Sequence, residues 1–475
     1  MDLRGWIAEV SSLGELAYLT GASSYLEMGA LTDIARKEKP SRALLFDEIV
    51  GYPKGYRVLT NALGSLNRFS LAVNLPLHLT KTELLKLWSE KIHQDTRIDP
   101  IPVKESPLFE NIHEGKAVNL EEFPAPHWHR EDGGRYIGTA AAVVTRNLEG
   151  TMINVGCYRV AIVDRNHLAV YISPGKHGRL HIEEHFAAGK PCPVAISFGH
   201  HPVVFLAATA YFQHRREMEE YAWAGGLLGE PLSMVFTKIH NLPVPAHGEI
   251  VIEGTFLPDK TVKEGPFGEW TGYYAHSIRE VPLLEVEMVY HRDYPIVLGH
   301  PPGKARGATD IFRILTQAAQ IKEAIKAAGI PGIKEVWCLE PGGGRFFIAV
   351  SIEQMYPGHA RQVGLMAAQC GPGAYMNKYV VVVDEDIDVT DLEDVLWAIC
   401  TRSDPARSIE ILRRCRSGPL DVAIPLEEKG FNTRAIIDCC RPYEERHRFP
   451  RVVETAPELI EQVKTRWRKE LGLSE

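Results

Sequence analysis

The chain has 475 residues, 45% of them hydrophobic and 24% charged, with a net charge of −8 and an isoelectric point near 6.2. This is the composition of an ordinary globular protein, long enough for about three domains of ~150 residues. The acidic balance and the lack of a Lys/Arg tract exclude a phosphate-backbone footprint, so nucleic acid is not an expected partner, whereas a small anion held by one or two arginines is compatible. The eight cysteines form no C-x-x-C pair, which speaks against a zinc cage or a thioredoxin-type site. Cys439 and Cys440 are expected to be reduced thiols of an intracellular enzyme. The first residues lack a signal-peptide pattern, and no apolar run approaches the ~18 residues of a membrane helix, so a cytoplasmic protein without a membrane partner is expected.

In chain order, the pattern predicts a helix from Trp6 to Leu16, strands at Ala43–Phe46 and Arg57–Asn61 around a Gly-Tyr-Pro-Lys-Gly turn, and a helix over Thr80–Ile92. The last of these carries Thr80 as N-cap and Glu83 three residues on, the signature of a capping box. Residues 1–112 therefore read as an α/β module. A proline-rich connection leads into a β-rich region with short apolar runs such as TAAAVVTR, YRVAIVD, HLAVYIS, VAISFG, VVFLAA, GEIVIEGTF and LLEVEMVYH, interrupted by helical patches near 179–188 and 216–227. Strands at this spacing predict a barrel or sandwich over 113–305. From Asp310 a long helix, the strand-like runs VWCLEP, FFIAVSI and YVVVVDED, a helix at 359–370 and the apolar run VLWAICTR predict a second α/β region over 306–475. Beyond about 415 the text is loop-rich, ending in a charged amphipathic helix, 456–471, suited to contacts with a neighbouring subunit.

The stretch Lys263-Glu264-Gly265-Pro266-Phe267-Gly268-Glu269-Trp270-Thr271-Gly272-Tyr273-Tyr274 sets two carboxylates five residues apart across a Gly-Pro-Phe-Gly hinge. Pro266 fixes its own φ and biases Gly265 towards an extended shape, so a rigid loop is predicted. Such a loop can place two carboxylates in one pocket with different surroundings, which separates acid from base roles. Four other stretches carry chemistry. Asn154-Val-Gly-Cys-Tyr158-Arg159 reads as a strand on which Asn154 and Arg159 share a face only if Gly156 permits a bulge. Ser173-Pro-Gly-Lys176-His177 is a turn, Glu217 to Gly226 is the acidic start of an apolar helix containing Glu220, and Lys378 precedes a hydrophobic strand. An amide oxygen, an imidazole, a carboxylate and fixed cations together can bind a phosphate through a divalent metal, with the histidine favouring Mn²⁺ over Mg²⁺.

These motifs, in this order and spacing, resemble the UbiD family of decarboxylases that use prenylated FMN. Further text is similar: Asp132-Gly-Gly-Arg-Tyr136, Pro357-Gly-His-Ala360, Val383-Asp-Glu-Asp-Ile-Asp388 and Thr401-Arg-Ser-Asp-Pro-Ala-Arg407. The resemblance implies an α/β (α+β) fold in which a central split β-barrel, like that of flavin reductases, is flanked by N-terminal and C-terminal α/β regions in a homo-oligomer. It implies that Asn154, His177 and Glu220 hold Mn²⁺ or Mg²⁺ against the cofactor phosphate, with Tyr158, Arg159, Lys176 and Lys378 also at the cofactor and K⁺ nearby at backbone oxygens. Arg159, Glu264 and Glu269 are then the catalytic network, and a flavin prenyltransferase (UbiX-type) is implied as the source of the cofactor.

In that reading the reaction is a reversible, non-oxidative decarboxylation of an aromatic or heteroaromatic acid that releases CO₂. Asn-Val-Gly-Cys-Tyr-Arg is closest to the hydroxyarenecarboxylate branch. Arg159 presents paired N–H donors to the substrate carboxylate, and Glu269 returns a proton to the carbon that loses CO₂. An unperturbed Glu has a pKa near ~4.3, so the donor role requires burial or a neighbouring carboxylate such as Glu264. Substrate choice is assigned to His300, Lys304 and Arg306 on the loop after the last strand of the β-rich region.

Other readings of the sequence are weaker. His181-Ile-Glu-Glu-His185 matches the H-x-x-E-H pattern of inverzincin zinc hydrolases, with His181 and His185 on one helical face. Gly342-Gly-Gly-Arg345 lacks the Lys-Ser/Thr of a phosphate-binding P-loop and reads as a turn. His127-Trp-His129 reads as local packing. A catalytically inert flavin-binding protein would have no need of Arg159, Glu264 and Glu269 together.

Overall fold

The computed structural model describes residues 2–94, 96–210, 217–275, 277–304 and 310–472. Its first sheet has four strands in the order Leu16–Thr20, Ala43–Asp47, Arg57–Thr60 and Ile296–Leu298. The first helix, Leu3–Ser12, is capped by Asp2, whose side chain accepts from the Gly5 N–H. It stops earlier than its apolar spacing predicts, because the chain from Leu16 pairs in parallel with Ala43–Asp47 instead. The helix Lys81–His93 carries the full Thr80–Glu83 capping box. Ile296–Leu298 pairs in parallel with Arg57–Thr60, so the chain returns to the N-terminal sheet immediately before the loop bearing His300.

The large central sheet runs in the order Arg135–Gly138, Arg159–Ile162, His167–Tyr171, Arg279–His291, Ile250–Glu264, Cys192–Ser197, Ala142–Arg146 and Ile153–Cys157, with Asn111–Glu114 added on Arg279–His291. Ile153–Cys157, at one end of this path, is joined to Arg159–Ile162, near the other end, by Tyr158 alone. The two ends therefore lie side by side, and the sheet curls on itself as its accumulated strand twist allows. The single strand expected over Asn154–Arg159 is thus two strands. A Cβ on Gly156 would meet the Tyr158 ring at 2.4 Å, so the glycine admits the ring where the chain crosses over.

The run VVFLAA, expected as a strand, lies in the helix Pro202–Thr209, with Pro202 in its first turn and the His201 ring accepting from the Val203 N–H. Pro202 to Ala208 are all buried, and an apolar run this short does not distinguish a buried strand from a buried helix.

The C-terminal sheet is Ile333–Cys338, Phe347–Ile352, Tyr379–Asp384, Phe431–Cys439 and Ile409–Arg416. VLWAICTR belongs to the helix Leu392–Arg402. The region beyond 415, expected as loop, supplies Phe431–Cys439, which pairs in parallel with Tyr379–Asp384. Its alternation of exposed Phe431 and Thr433 with buried Asn432 and Arg434 hides a strand whose inward positions are polar. The helix Pro457–Trp467 leaves Leu459, Ile460, Val463 and Trp467 exposed. Among the described residues no helix is long and apolar enough to cross a membrane.

Three parts of the chain meet at Trp88, which is fully buried. Its ring lies edge-on to Phe69 (5.2 Å), Phe312 (5.9 Å) and Trp223 (6.3 Å), and its Nε1 donates to Thr316 Oγ1 at 3.2 Å. Trp88→Ala should cost about 3–5 kcal/mol. A fall in the urea midpoint at unchanged slope checks this, and an unmoved midpoint would show that the three parts are not joined there.

Candidate active site

Glu264 is the last residue of the strand Ile250–Glu264. The loop after it departs from expectation at Gly265, which takes φ +88° ahead of a cis bond to Pro266. The bias that Pro266 imposes on its neighbour is overridden because Gly265 has no Cβ. The Asp132-Gly133-Gly134 turn braces this loop. The Gly133 N–H donates to Pro266 O at 2.7 Å, and a Cβ on Gly133 would stand 2.0 Å from Gly265 O. Beyond the hinge, Glu269 N donates to Tyr273 O at 3.0 Å and Gly272 N to Glu269 O at 2.8 Å, a tight turn that fixes where Glu269 leaves the backbone. Trp270 packs on Phe346 (centroids 5.2 Å apart), under the Arg313 guanidinium (4.9 Å) and over Gly343, so the C-terminal region clasps the far end of the loop.

Arg159, first residue of its strand, meets both carboxylates. Its Nε donates to Glu264 Oε1 at 2.7 Å, its Nη2 to Glu264 Oε2 at 2.8 Å and its Nη1 to Glu269 Oε1 at 3.2 Å. Tyr136 donates its hydroxyl to Glu264 Oε1 at 2.8 Å. The guanidinium lies over the Tyr171 ring (4.6 Å) and near Phe267 (5.6 Å). Five N–H groups on an arginine, less these three, leave one on each terminal nitrogen for a ligand. Burial raises the Glu269 pKa, and the proximity of Glu264 adds to the rise, against the opposing charge of Arg159.

The network sits where two lobes of one cavity join. The smaller, about 320 Å³, is lined by Arg159, Phe205, Phe267 and His300 among others. The larger, about 780 Å³, is lined by Asn154, His177, Glu220, Arg279, Arg345 and Tyr375 among others. Tyr158, Lys176, Glu269 and Trp270 belong to both walls. These sizes suit a mononucleotide-sized cofactor beside a small ring.

Asn154, on Ile153–Cys157, and Glu220, in the first turn of the helix Glu219–Leu228, are buried, and His177 opens the helix His177–Ala187. Burial and Lys176 lower the His177 pKa, which keeps its imidazole neutral and able to ligate, while burial and Glu219 push Glu220 up to about 8. A divalent cation restores the charged carboxylate, and the donor set of amide oxygen, imidazole and carboxylate fits Mn²⁺ or Mg²⁺. Lys176, the helix end at His177, Arg313 and Arg345 suit a phosphate on the same wall.

The sequence-predicted residues divide. Arg159, Glu264 and Glu269 meet directly, and Asn154, Tyr158, Lys176, His177 and Glu220 line the same cavity. His300 lines the smaller lobe, its backbone N–H donating to Thr139 Oγ1 at 2.7 Å, with burial holding its pKa well below the ordinary imidazole value. Lys304 is exposed and outside both walls, and Arg306 lies outside the described residues. Lys378 pairs with Asp421 at 2.8 Å and lines a different hollow with Arg413 and Arg434. Sequence reasoning missed Tyr136, Tyr171, Arg313 and Arg345. Arg345 ends the glycine run read as a turn; the turn is real, and its arginine reaches the cavity, where burial and Arg313 lower its pKa to about 10. His181 and His185 are buried, with His185 Nδ1 facing the His181 carbonyl at 2.9 Å and Thr145 Oγ1 facing His181 Nδ1 at 3.1 Å. Among the described residues no third His, Cys, Asp or Glu donor gathers with them.

Three family models match successive parts of the chain: the N-terminal (7–92), Rift-related (101–305) and C-terminal (310–439) domains described as 3-octaprenyl-4-hydroxybenzoate carboxy-lyase. The chain is 30% identical to the pyrrole-2-carboxylic acid decarboxylase of Pseudomonas aeruginosa, over 93% of its own length and 91% of that protein. Its structure superposes with a TM-score of 0.87 on the vanillic acid decarboxylase of Sedimentibacter hydroxybenzoicus, at 28% identity and 99% coverage of both chains. For the UbiD-class enzyme HmfF of Pelotomaculum thermopropionicum, solved in complex with FMN, the TM-score is 0.85, at 28% identity and coverage of 97% and 98%. An evolved dimeric form of that enzyme, solved with prFMN, gives 0.82 at the same identity and coverage. Family models and fold are those of a flavin-dependent carboxy-lyase. The chain belongs to the UbiD family of decarboxylases, whose members act on aromatic acids.

The Arg159–Glu264 pair is almost wholly buried. Arg159→Met should destabilise the fold by about 3–5 kcal/mol, because Glu264 keeps its buried charge without a counter-ion. Adding Glu264→Gln should recover part of that loss. Chemical denaturation of the single and double variants at neutral pH tests this, and additive effects would rule the coupling out.

Proposed function

We propose that this decarboxylase removes CO₂, reversibly, from an aromatic or heteroaromatic acid with prenylated FMN as cofactor. The observation that carries the assignment is the arrangement of Arg159 between Glu264 and Glu269 where the two lobes join. The cofactor phosphate is assigned to the larger lobe, through Mn²⁺ or Mg²⁺ on Asn154, His177 and Glu220, with Lys176 and Tyr158 beside it. A K⁺ ion at backbone oxygens belongs to the same proposal. Lys378, through its pair with Asp421, holds in place the neighbouring Pro419 and Leu420 that line this lobe. The curled sheet is read as a split barrel, within segments 1–112, 113–305 and 306–475 that assemble into a homo-oligomer. Supply of the cofactor falls to a flavin prenyltransferase.

The bound cofactor supplies the electron sink for the carbon that loses CO₂. The residues do the rest. Arg159 offers its two remaining N–H groups to the substrate carboxylate and orients it between Phe205, Phe267 and His300 in the smaller lobe. Phe267 and Phe205 exclude water from the departing CO₂. Glu269, with its raised pKa, delivers the proton to the same carbon, and in the carboxylation direction accepts it back. Tyr136 and Arg159 hold Glu264 in place, which fixes the guanidinium.

Glu269→Gln should lower kcat by about 10²–10⁴-fold with cofactor content unchanged. A proton donor must be protonated, so kcat should fall as pH rises through the elevated pKa of Glu269, and Glu269→Gln should abolish that limb of the profile. A pH–rate profile with the limb intact in the variant would exclude Glu269 as donor.

The class is tested by mass spectrometry and visible spectra of protein co-expressed with a flavin prenyltransferase and purified in the dark under low oxygen, followed by CO₂ release from a panel of aromatic acids. Bound prenylated FMN that is lost on Glu220→Ala supports the reading. Folded protein without any flavin overturns it.

A further inference from the structure

We propose that His113, His291 and Glu122 form a second metal site, separate from the flavin cavity, for a divalent ion of the zinc type. None of the three lines either lobe of the cavity. His113 lies on the edge strand Asn111–Glu114 and His291 ends the strand Arg279–His291. In the antiparallel register His113 stands opposite Val289 and His291 opposite Asn111. The two histidines are therefore diagonal neighbours on one face of the sheet, within reach of each other. Their ring centroids are 5.1 Å apart at 83°. Glu122 enters from the short turn Leu120–Glu122, which places its Oε1 3.0 Å from His113 Nδ1. One donor atom from each residue lies within 4.8 Å of the other two.

Beside the His113–Glu122 contact, the hydrogen bonding leaves donor atoms for a ligand. His291 Nδ1 faces the Arg292 carbonyl at 2.9 Å. A carbonyl accepts only, so Nδ1 carries the proton and Nε2 is left with its lone pair, as in metal-bound histidines oriented by a backbone acceptor. That Nε2 is buried and has no hydrogen-bond partner. His113 Nδ1 and Glu122 Oε1 are also buried without a hydrogen bond, despite their 3.0 Å approach. His291 Nε2 and Glu122 Oε1 are acceptors, and His113 Nδ1 is a third in its Nε2–H tautomer; buried acceptors gathered in this way are costly unless something positive stands among them.

The surroundings strengthen that cost. Phe123 packs edge-on to His291 (5.2 Å), Tyr56 does so at 5.9 Å, and Tyr56 stacks on Phe123 at 5.6 Å. This apolar wall raises the electrostatic value of a cation at the centre. Two imidazoles and one carboxylate are a familiar zinc donor set, with the fourth position left to water. Bonds of ~2.0–2.2 Å to zinc set tetrahedral donors ~3.3–3.6 Å apart, so His113 Nδ1 and Glu122 Oε1 already stand close enough at 3.0 Å, and the donors overall lie within 4.8 Å of one another. The bound ion would tie the edge strand and the 115–122 turn to the central sheet. It would also hold the Tyr56 loop of the N-terminal module against it.

The test is zinc content by elemental analysis of full-length protein that has been stripped with chelator, dialysed against Zn²⁺ and desalted. A Glu220→Ala background removes a ligand from the cavity site and isolates the new one. Glu220→Ala protein should retain about one zinc per chain. His113→Ala and Glu122→Gln, each added to that background, should lose that zinc. In the wild-type background the same two changes should leave decarboxylation unaffected, and in the Glu220→Ala background they should abolish the rise in melting temperature that Zn²⁺ produces. Equal zinc in Glu220→Ala protein with and without His113→Ala overturns the proposal, as does a Zn²⁺-induced melting shift of Glu220→Ala protein that survives Glu122→Gln. Zinc confined to the cavity site, and so missing from Glu220→Ala protein, overturns it equally.

Discussion

Everything at this site depends on a charge pair buried between residues that are 105 positions apart, Arg159 and Glu264. Burying a guanidinium and a carboxylate costs several kcal/mol per ion unless geometry and further hydrogen bonds compensate. Here the pairing is bidentate, Tyr136 supplies a third hydrogen bond to Glu264, and the guanidinium face rests on Tyr171. The curled sheet makes this affordable. Arg159 begins its strand one residue after the opposite end of the sheet, and Glu264 ends a strand whose loop is braced by Gly133. Both side chains arrive at one point as a consequence of strand register, with no long flexible segment to fix.

Around that pair the two lobes share the cations Lys176 and Arg313 and differ in other parts of their lining. The larger lobe adds Arg279, Arg345 and the open end of the helix His177–Ala187 to these shared cations, so it favours an anion. It also contains Glu220, whose pKa burial pushes up to about 8. The smaller lobe is walled by Phe205 and Phe267, and Glu269 faces both. One fold thereby creates two environments in contact, one rich in cations and one apolar enough to raise the pKa of the Glu269 carboxyl.

The C-terminal region closes this arrangement. Trp270 is held between Phe346 and Arg313, and Arg345 reaches the anion-binding lobe from a turn after the strand Ile333–Cys338. Trp88 ties the same helix, Asp310–Ala327, to the N-terminal module and to the helix bearing Glu220. The His113–Glu122–His291 cluster would add a further tie at the edge strand Asn111–Glu114. Each of these contacts joins segments far apart in sequence, so the site is rigid only when the whole chain is folded.

What could be read from the sequence was what local chemistry dictates. Thr80 and Glu83 mark a helix start because a capping box is satisfied within four residues. The Glu264–Glu269 loop, the Asn154 and Arg159 text, the Lys176-His177 turn and Glu220 were visible as motifs because their residue types are set by the groups they face. The partners of these motifs were not visible. VVFLAA is helical because its surroundings are apolar on every side, Gly265 adopts φ +88° because Gly133 and the strand end require it, and Phe431–Cys439 is a strand because Tyr379–Asp384 lies beside it. Arg345 looked like the end of a turn, and Lys378 like a cavity residue, because no sequence pattern records which way a side chain faces. The sequence alone determined which chemical groups the protein carries and where its helices begin. The tertiary structure decided which of them meet, since strand order and burial are set by contacts between residues far apart in the chain, from Tyr379 with Ala435 to Arg57 with Ile296.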